Sequence, residues 1–382
     1  MRWPATQTTS EVLLPRAVMV LSQRPRPGLA RILPTLEAVG VPAVLALSGQ
    51  IGDTLPRPFH GAPEQVVILA TDAESVRVGL HAGAGLVAGL GSGSHATAQL
   101  AAGAELVLQA PSQIAGGDLL RAYASKFSSL PSLGPDLAGL AGADVALFFD
   151  YDGTLAPVPE HRADGQLPEP IRDMLARLSA RHPVAVVSGR AVADLSHRLQ
   201  LPGLYLAGNH GLDLHGPDYA PERHMLAADW RPILDAAHAV LAPLAQEHPG
   251  CVVEHKGLTL AVHYRGLAMA ASVALRRAVV SRLAAFDRLL LESGQQVLEI
   301  HPTIDWHKGS AVDWLLARMQ SLFGPCKPVY FGDDLADEPA FLAARRAGGY
   351  GVVIGAEVRP TSARFRLASP GGLPAALAPL LA

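Results

Sequence analysis

From residue 145 onward, short apolar runs alternate with amphipathic segments, and this alternation limits the possible folds more than any other feature. The run "VALFF" (145–149) precedes "EPIRDMLARLSARH", where Ile171, Leu175 and Leu178 recur at helical spacing, and "VAVVSG" follows. The same order returns in "HKGSAVDWLLARMQ", "PVYFGDD", "EPAFLAARRAGG" and "YGVVIG". Strands that alternate with helices of this length indicate βαβ units. We predict an α/β fold with a Rossmann-like parallel-sheet core.

The segment between about Leu212 and Pro302 interrupts this alternation. It contains the helical patterns "WRPILDAAHAVLAPLAQEH" and "AMAASVALRRAVVSRLAAF", the hairpin-like pair "CVVEHK" and "LTLAVHYR", and the strand-like "QVLEIHP". The alternating faces of "LTLAVHYR" suit a half-exposed antiparallel strand. We interpret residues 213–301 as an α+β cap domain inserted into a core domain formed by residues 143–212 and 302–382.

The N-terminal third repeats the core pattern in outline. The run "AVMVLSQRPRPGLARILPTLEAVGVPAVLALSG" can be laid against "ALFFDYDGTL…IRDMLARLSARHPVAVVSG". Further on, "VVILATDAESVRVGLHAGAGLVAGL" lies against "PVYFGDDLADEPAFLAARRAGGYGVVIG". In these two registers Ser22, Arg24 and Thr71 stand where the core has carboxylates. Those core carboxylates are Asp150, Asp152 and Asp333. We predict a smaller, degenerate domain of the same fold over residues 1–124, followed by a linker over residues 125–142. Two unrelated α/β domains that obey the same βαβ rules are the alternative.

Two carboxylates, Asp150 and Asp152, stand at the end of the first core strand in "DYDGTL". At this spacing one carboxylate can attack a phosphoryl group while the other moves protons. A magnesium ion would hold these anions together, since hard cations take oxygen ligands and usually need one or two carboxylates plus substrate. An ordinary Asp-Gly turn is the alternative interpretation.

Three further motifs lie at strand ends or helix starts. "SGR" (188–190) offers the Ser188 hydroxyl and backbone N–H groups to a phosphate. "HKG" (307–309) places Lys308 at the start of a helix, where an ammonium and free N–H groups both favour an anion. "FGDDLADE" (331–338) supplies four acidic side chains, which need a cation or a basic partner. Alone, "SGR" is more often a turn and the lysine of "HKG" more often solvated surface, whereas the mutual repulsion of four acids makes a bland interpretation of "FGDDLADE" less suitable.

Taken in order, "DYDGTL", "SGR", "HKG" and "GDDLADE" resemble the four motifs of the haloacid dehalogenase superfamily of phosphohydrolases. The segments "LAGNHGLDL", "VVEHKGLTLAVHYR" and "VLEIHPTIDWHKGSAV" resemble more closely the signatures of trehalose-6-phosphate phosphatases. This resemblance implies magnesium-dependent hydrolysis of trehalose 6-phosphate to trehalose and inorganic phosphate. Mycobacterial members of the family are similar in carrying an extra, catalytically empty N-terminal domain.

The chemistry and the resemblance together assign roles to the core residues. We expect Asp150 to attack phosphorus and form an aspartyl-phosphate, while Asp152 acts first as acid and then as base. Ser188 and Lys308 are expected to bind the transferring phosphoryl group, with Asp337 orienting Lys308. The predicted magnesium ligands are the Asp150 carboxylate, the Asp152 main-chain carbonyl, Asp333 and Asp334.

The resemblance also indicates which residues bind the sugar. On the cap these are Glu254, Lys256, Arg265 and Glu299. On the core side they are Arg190 and Asn209. Charged residues two apart on a hairpin are usually a solvated face, which is the alternative for Glu254 and Lys256. Related enzymes often carry a basic residue shortly before the cap glutamate, whereas this chain has Gln295 and Gln296 there, so its disaccharide contacts are expected to differ.

Charge and cysteine content exclude several other classes. The formal net charge is −3, so no basic footprint of a nucleic-acid binder or polybasic membrane anchor is present. Cys251 and Cys326 are the only cysteines, too few for a disulfide framework or a four-cysteine zinc site. The N-terminal residues lack the pattern of a signal peptide, and no run is apolar enough to span a membrane. We expect a cytoplasmic protein, monomeric or homodimeric, that meets a small-molecule sugar phosphate.

Other functions remain open on the sequence alone. A phosphatase for another sugar phosphate, such as sucrose 6-phosphate, or a phosphosugar mutase would share the core and the cap type. A non-catalytic sugar-phosphate sensor is a third alternative, although the complete carboxylate set argues against it for the whole chain. For the N-terminal domain alone we favour a structural or dimerisation role.

Overall fold

The structure is a computed structural model that describes residues 15–23, 42–51, 55, 62–108, 118–128, 130–134, 144–157, 166–217, 224–225, 228–294 and 296–381. These residues form two compact units. The first comprises Met1–Ser132 with Ala356–Arg366, and the second comprises Leu133–Gly355 with Leu367–Ala382. Arg24, Gln295 and residues 135–142 of the predicted linker lie outside the described residues. The domain boundaries given above stay a prediction.

The first unit contains a parallel sheet with strand order β2-β1-β3-β4-β5. The strands are β1 (Ala17–Ser22), β2 (Ala43–Leu47), β3 (Val66–Ala70), β4 (Leu86–Leu90) and β5 (Leu106–Leu108). The helices are α1 (Ala73–His81), α2 (Gly93–Ala101) and α3 (Asp118–Ser128). Helix α3 buries Leu119, Tyr123 and Phe127 against β1, β3 and β4. Residues 125–128 of the predicted linker are therefore part of a packed helix.

The second unit is built on a sheet with strand order β10-β9-β8-β7-β6-β15-β16 and with β17 at its edge. Its strands are β6 (Val145–Phe149), β7 (Val184–Val187), β8 (Tyr205–Gly208), β9 (Asp213–His215), β10 (His224–Met225), β15 (Lys327–Gly332) and β16 (Tyr350–Ile354). The edge strand β17 (Phe365–Leu367) contains the unit boundary, which falls after Arg366. Its helices are α4 (Glu169–Ser179), α5 (Val192–Leu199), α9 (Lys308–Phe323), α10 (Glu338–Arg346) and α11 (Leu373–Leu377). Within this sheet, the five neighbouring strands β8, β7, β6, β15 and β16 pair in parallel, as predicted.

The two sheets repeat one strand order. The first sheet has the order β2-β1-β3-β4-β5. Five neighbouring strands of the eight-stranded sheet have the matching order β7-β6-β15-β16-β17. The predicted internal repeat is therefore present as a repeated topology. Ser22 ends β1 and Thr71 directly follows β3, the places that Asp150 and Asp333 take in the second unit. The α/β fold class, with an additional N-terminal sheet of the same order, is confirmed.

The inserted segment forms an antiparallel sheet with order β11-β12-β14-β13. Its strands are β11 (Val252–His255), β12 (Leu260–His263), β13 (Leu289–Gly294) and β14 (Val297–Pro302), and its helices are α6 (Arg231–Leu241), α7 (Leu244–Glu247) and α8 (Met269–Leu283). One face packs Leu260, Val262, Leu298 and Ile300 against α6 and α8. Sequence patterns missed β13. They also predicted a single helix where α6 and α7 are separate, with Pro243 at the junction.

The sheet topology brings the motifs together. Because parallel strands end at the same edge of a sheet, the residues that follow β6, β7, β8 and β15 meet at one edge. These residues are Asp150, Ser188, Asn209 and Asp333. Within the described part of the chain, no helix has the length and apolarity needed to cross a membrane.

Candidate active site

A buried lysine joins two carboxylates at the centre of this edge. Lys308, the first residue of α9, donates from Nζ to Oδ1 of Asp150 and to Oδ1 of Asp337, both at 2.8 Å. All three side chains are buried. Asp337 also accepts the hydroxyl of Tyr330 at 2.7 Å and, through Oδ2, the backbone N–H groups of Asp333 and Asp334 at 3.0 Å. Asp337 is therefore fixed in place beside Lys308, and its role in orienting that lysine stays a prediction.

Asp333 lies against the loop that follows β6. Its Oδ1 accepts the hydroxyl of Thr154 at 3.2 Å. A Cβ atom on Gly153 would lie 2.0 Å from Asp333 Oδ2, and Gly153 has a φ of +85°. Only glycine fits this position, both for its conformation and for the close approach of the carboxylate. The sequence "DGT" thus brings Asp333 beside the catalytic loop.

Three carboxylates could hold a metal ion here. Oxygens of Asp150, Asp333 and Asp337 lie within 4.8 Å of one another. When all three carboxyl groups are ionised, the ammonium of Lys308 offsets one of their charges, and a divalent cation would balance the other two. Carboxylate oxygens are the ligands that magnesium prefers. The residues present therefore fit the predicted ion. Asp334, also predicted as a ligand, lies at the start of a short 3₁₀ helix, where its Oδ1 accepts a hydrogen bond from the N–H of Leu335 at 2.6 Å.

Burial controls the ionisation of these groups. Burial, opposed by the Lys308 charge, raises the pKa of Asp150 well above its ordinary value. Burial and the neighbouring Asp337 raise the pKa of Asp333 to about 7. Burial alone would lower the pKa of Lys308, but Asp150 and Asp337 raise it instead. The lysine therefore stays charged, and the carboxylates ionise fully only with more positive charge nearby.

The raised pKa of Asp333 predicts how the metal-free protein responds to pH. The folded state binds a proton on Asp333 up to a pH of about 7, whereas the unfolded chain releases it near 3.8. Stability therefore falls as pH rises between these values, because the folded state holds more protons. We expect the free energy of unfolding of the wild type, relative to Asp333→Asn, to decrease over this range in chelator. Urea unfolding of both proteins across the range measures it, and a flat or rising difference contradicts the assignment.

Asp152 is held by an arginine. Arg190 Nε and Nη2 donate to its two carboxylate oxygens, each at 2.6 Å. The third guanidinium nitrogen, Nη1, donates to Asp194 at 2.7 Å. Arg190 is only 1% exposed and lies 5.3 Å from the ring of Tyr151. Its predicted role in sugar binding stays a prediction, but the structure shows its guanidinium engaged by the acid/base candidate and by Asp194.

The turn after β8 leads into β9 of the same sheet and contacts the inserted segment. Asn209 and His210 have φ values of +51° and +57°, a region that residues other than glycine enter at a cost. The Asn209 side-chain oxygen accepts the hydroxyl of Thr259 at 3.0 Å. The neighbouring Ser188 is buried, and its hydroxyl accepts the N–H of Arg190 at 3.3 Å. Asn209 thus lies at the boundary of core and cap, as expected.

Two of the predicted cap residues form one ion pair, in which the lysine is buried and the glutamate is half-buried. Lys256 donates to both carboxylate oxygens of Glu299, at 3.0 and 2.9 Å, and to the main-chain oxygen of Gly189 at 3.2 Å. Although burial raises the pKa of Glu299, Lys256 beside it holds that pKa well below its usual range. His210 lies 3.9 Å from the same carboxylate. These contacts join the polar face of the cap sheet to the "SGR" motif of the core.

The other two cap residues lie farther along the hairpin. Glu254 accepts from His263 across the strand pair at 2.9 Å, if that nitrogen carries its proton. It faces Ala261, which in turn faces Glu299, so Glu254 and Glu299 share one face of the sheet. Arg265 is exposed and lies beyond the end of β12, at the opposite end of the hairpin from Lys256. The structure does not bring Arg265 to the Lys256 and Glu299 pair.

Several residues of the site were not predicted. Thr154 stands inside the "DYDGTL" motif but was given no role. Tyr330 is buried within β15 and looks from sequence like any core aromatic residue. Asp194 gave a weak signal, because it precedes Arg198 by four positions on a helix, and its Oδ1 accepts Arg198 Nε at 2.8 Å.

This arrangement of strand ends and charges defines a class. A carboxylate paired with a buried lysine, a second carboxylate two residues later, and an acidic cluster after the neighbouring strand are the site of a phosphatase of the haloacid dehalogenase superfamily. The family model for trehalose-phosphatase matches residues 148–371, which include every site residue named above. The chain belongs to the trehalose-phosphatase family and is a phosphoric monoester hydrolase, which confirms the resemblance seen in its motifs.

Individual relatives agree with this assignment. The trehalose-phosphate phosphatase of Mycobacterium avium (strain 104) is 37% identical over 322 residues, which cover 81% of this chain and 80% of that protein. The enzyme of the same name from Mycobacterium tuberculosis (strain H37Rv) is 33% identical over 338 residues, covering 85% and 84%. The C-terminal domain of the C. albicans trehalose-6-phosphate phosphatase has the same fold, with a TM-score of 0.56 at 22% identity; it covers 66% of this chain and 98% of that domain.

Proposed function

We propose that the protein hydrolyses trehalose 6-phosphate to trehalose and inorganic phosphate, with magnesium as cofactor and an aspartyl-phosphate intermediate. The observation that carries the proposal is the buried group of Asp150, Lys308 and Asp337 with Asp333 beside it. A nucleophilic carboxylate, a fixed ammonium and surplus negative charge for a divalent cation meet there. The choice of substrate rests on the relatives described above, whose names give trehalose phosphate as their substrate.

The first step transfers the phosphoryl group to Asp150. A carboxylate oxygen of Asp150 attacks phosphorus, and the bond from phosphorus to the sugar oxygen breaks with its electron pair leaving on the sugar. Asp152 supplies the proton that this oxygen needs. Lys308 and Ser188 bind the phosphoryl oxygens. Because their positions are fixed before the reaction and the site is buried, they stabilise the transition state more than the same groups would in water.

The second step returns Asp150 to its starting state. A water molecule attacks phosphorus, gives a proton to the Asp152 carboxylate and displaces the Asp150 oxygen, so that inorganic phosphate leaves. Asp152 is then protonated again, ready for the next substrate. The same residue thus serves as acid and base in turn.

The metal would be held by core residues. We propose the Asp150 carboxylate, the Asp152 main-chain carbonyl and Asp333, with Asp334 nearby. Asp337 stays a supporting residue, because both its oxygens already accept hydrogen bonds. When bound, magnesium supplies positive charge that lets the carboxylates ionise and offsets the charge of the phosphate.

The cap would recognise the sugar. Glu254, Lys256 and Glu299 lie on or beside one face of the cap sheet, and the Lys256 contact with Gly189 places that face against the core. We propose that these side chains bind sugar hydroxyls. Arg190, which also binds Asp152, and Asn209 remain the proposed contacts on the core side, and Arg265 would meet only a part of the substrate that reaches the far end of the hairpin.

A phosphate-release assay tests the proposal. We expect release from trehalose 6-phosphate to exceed that from sucrose 6-phosphate, glucose 6-phosphate and glucose 1-phosphate, and to stop in chelator. Asp150→Asn serves as the blank. Equal activity over the four substrates would remove the substrate assignment and leave the mechanism, whereas transfer of phosphate to sugar without release would favour a mutase. Activity that survives chelation would contradict the role of magnesium.

A further inference from the structure

The acid/base candidate belongs to a chain of four charged side chains. Asp152 is bound by Arg190, Arg190 by Asp194, and Asp194 by Arg198, at distances of 2.6, 2.7 and 2.8 Å. Asp194 and Arg198 both lie on helix α5. Two carboxyl groups and two guanidinium groups therefore alternate along this network.

The last member of this network, Arg198, lies close to Tyr151 in the loop that also carries Asp152. Burial raises the pKa of the Tyr151 hydroxyl, and the charges of Arg198 and Arg190 beside it oppose that rise. Tyr151 stands between Asp150 and Asp152 in sequence and is fully buried. Helix α5 is thus connected to the catalytic loop both through Arg190 and through Tyr151.

Asp152 cannot turn toward a substrate without releasing Arg190. Both of its carboxylate oxygens accept from that guanidinium, whereas a general acid must turn at least one oxygen to the leaving group. What holds the guanidinium in place therefore also decides where Asp152 rests and how readily it is released. Within the part of the chain that the structure describes, the other carboxylate that binds this guanidinium is Asp194.

We infer that Asp194 is a positioning residue, which acts through Arg190 on Asp152. One oxygen of Asp194 accepts from Arg190 and the other from Arg198. The negative charge of Asp194 offsets part of the positive charge of Arg190, which weakens the attraction between Arg190 and Asp152. Without Asp194, the guanidinium can shift and its full charge falls on Asp152.

The variant Asp194→Asn isolates this role, because asparagine has nearly the same shape. It offers one acceptor oxygen where aspartate has two, so its amide group must face one of the two guanidinium groups. Asp194→Glu keeps the charge and tests for rescue. Glu169→Gln is the matched control, since Glu169 forms an exposed ion pair with Arg172 at 3.6 Å in the same unit.

The readout separates proton transfer from the rest of the reaction. A sugar leaves as an alkoxide and needs the proton from Asp152, whereas p-nitrophenolate is stable as an anion at neutral pH. Single-turnover release of the leaving group from trehalose 6-phosphate and from p-nitrophenyl phosphate measures the first step alone. We expect Asp194→Asn to slow sugar release by up to about 100-fold, the scale of a misplacement of a catalytic group by about 1 Å, with KM and p-nitrophenolate release changed far less. Asp194→Glu should restore part of the loss.

This inference rests on the proposed acid/base role of Asp152, so Asp152→Asn is assayed in parallel. If Asp152→Asn slows both substrates equally, the proposed function fails. If it slows only the sugar phosphate while Asp194→Asn slows neither or both, Asp194 has no positioning role. Should Asp194→Asn prove poorly folded in thermal melts, Arg198→Met removes the partner that orients Asp194. We expect the same selective loss, and its absence overturns the inference.

Discussion

Replacing Asp150 by asparagine is expected to abolish turnover, by about 10⁴-fold or more, the scale typical of removing a member of a catalytic unit. Asparagine keeps the shape of the side chain but cannot attack phosphorus or form an aspartyl-phosphate. The folded protein should survive the change, because burial already disfavours the Asp150 charge and Asp337 still pairs with Lys308. Steady-state phosphate release and a thermal melt of the same preparation measure both effects.

Asp152→Asn is the matched comparison for Asp150→Asn. The two residues are two positions apart in one loop, yet only Asp150 should become phosphorylated. With an activated aryl phosphate, Asp152→Asn is expected to accumulate phosphorylated protein, since the base for hydrolysis is missing. Intact-mass measurement after rapid quenching detects the added phosphoryl group. A phosphorylated species in Asp150→Asn would show that another residue is the nucleophile.

Replacing Lys308 by methionine is expected to cost both activity and stability. Lys308 is the buried cation shared by Asp150 and Asp337. Removing one partner of a buried ion pair leaves uncompensated charge and typically costs about 3–5 kcal/mol. Loss of a fixed charge at the phosphoryl group costs on the order of 100- to 1000-fold in rate. Urea unfolding and turnover of p-nitrophenyl phosphate measure the two losses.

Lys256→Met gives the comparison, because Lys256 is also a buried lysine in an ion pair. It should lose stability as well, but through the cap, so turnover of an aryl phosphate should fall far less than in Lys308→Met. If both variants lose that turnover equally, the loss reflects general destabilisation and the special role of Lys308 is disproved. Magnesium is held constant, since a bound cation would replace part of the missing charge.

The sequence was sufficient to predict where the site forms. Asp150, Ser188 and Asp333 follow apolar runs, and parallel strands must bring such ends to one edge. Lys308 precedes a strongly helical run, so its place at a helix start follows from local pattern. The acidic motif also identified Asp337. Its side chain points back to the end of β15, where it accepts the backbone N–H of Asp333.

The partners of individual side chains could not be predicted in this way. Arg190 binds Asp152 because helix α5 and the turn before it fix the direction of its side chain, which depends on tertiary packing. The distance of Arg265 from Lys256 depends on where the β11–β12 hairpin turns. Strand β13 was missed because "LLLESG" gains its strand character from six paired positions with β14.

The ion pair of Lys256 and Glu299 has a consequence for the energetics of sugar recognition. An ammonium in water must shed its hydration shell before it can bind a hydroxyl, and that loss weakens binding. Lys256 has already given up its water during folding and is held by Glu299 and a main-chain oxygen. The dehydration cost thus falls on the conformational stability of the cap, and under the proposed role a sugar would meet an ammonium that is already dehydrated and oriented.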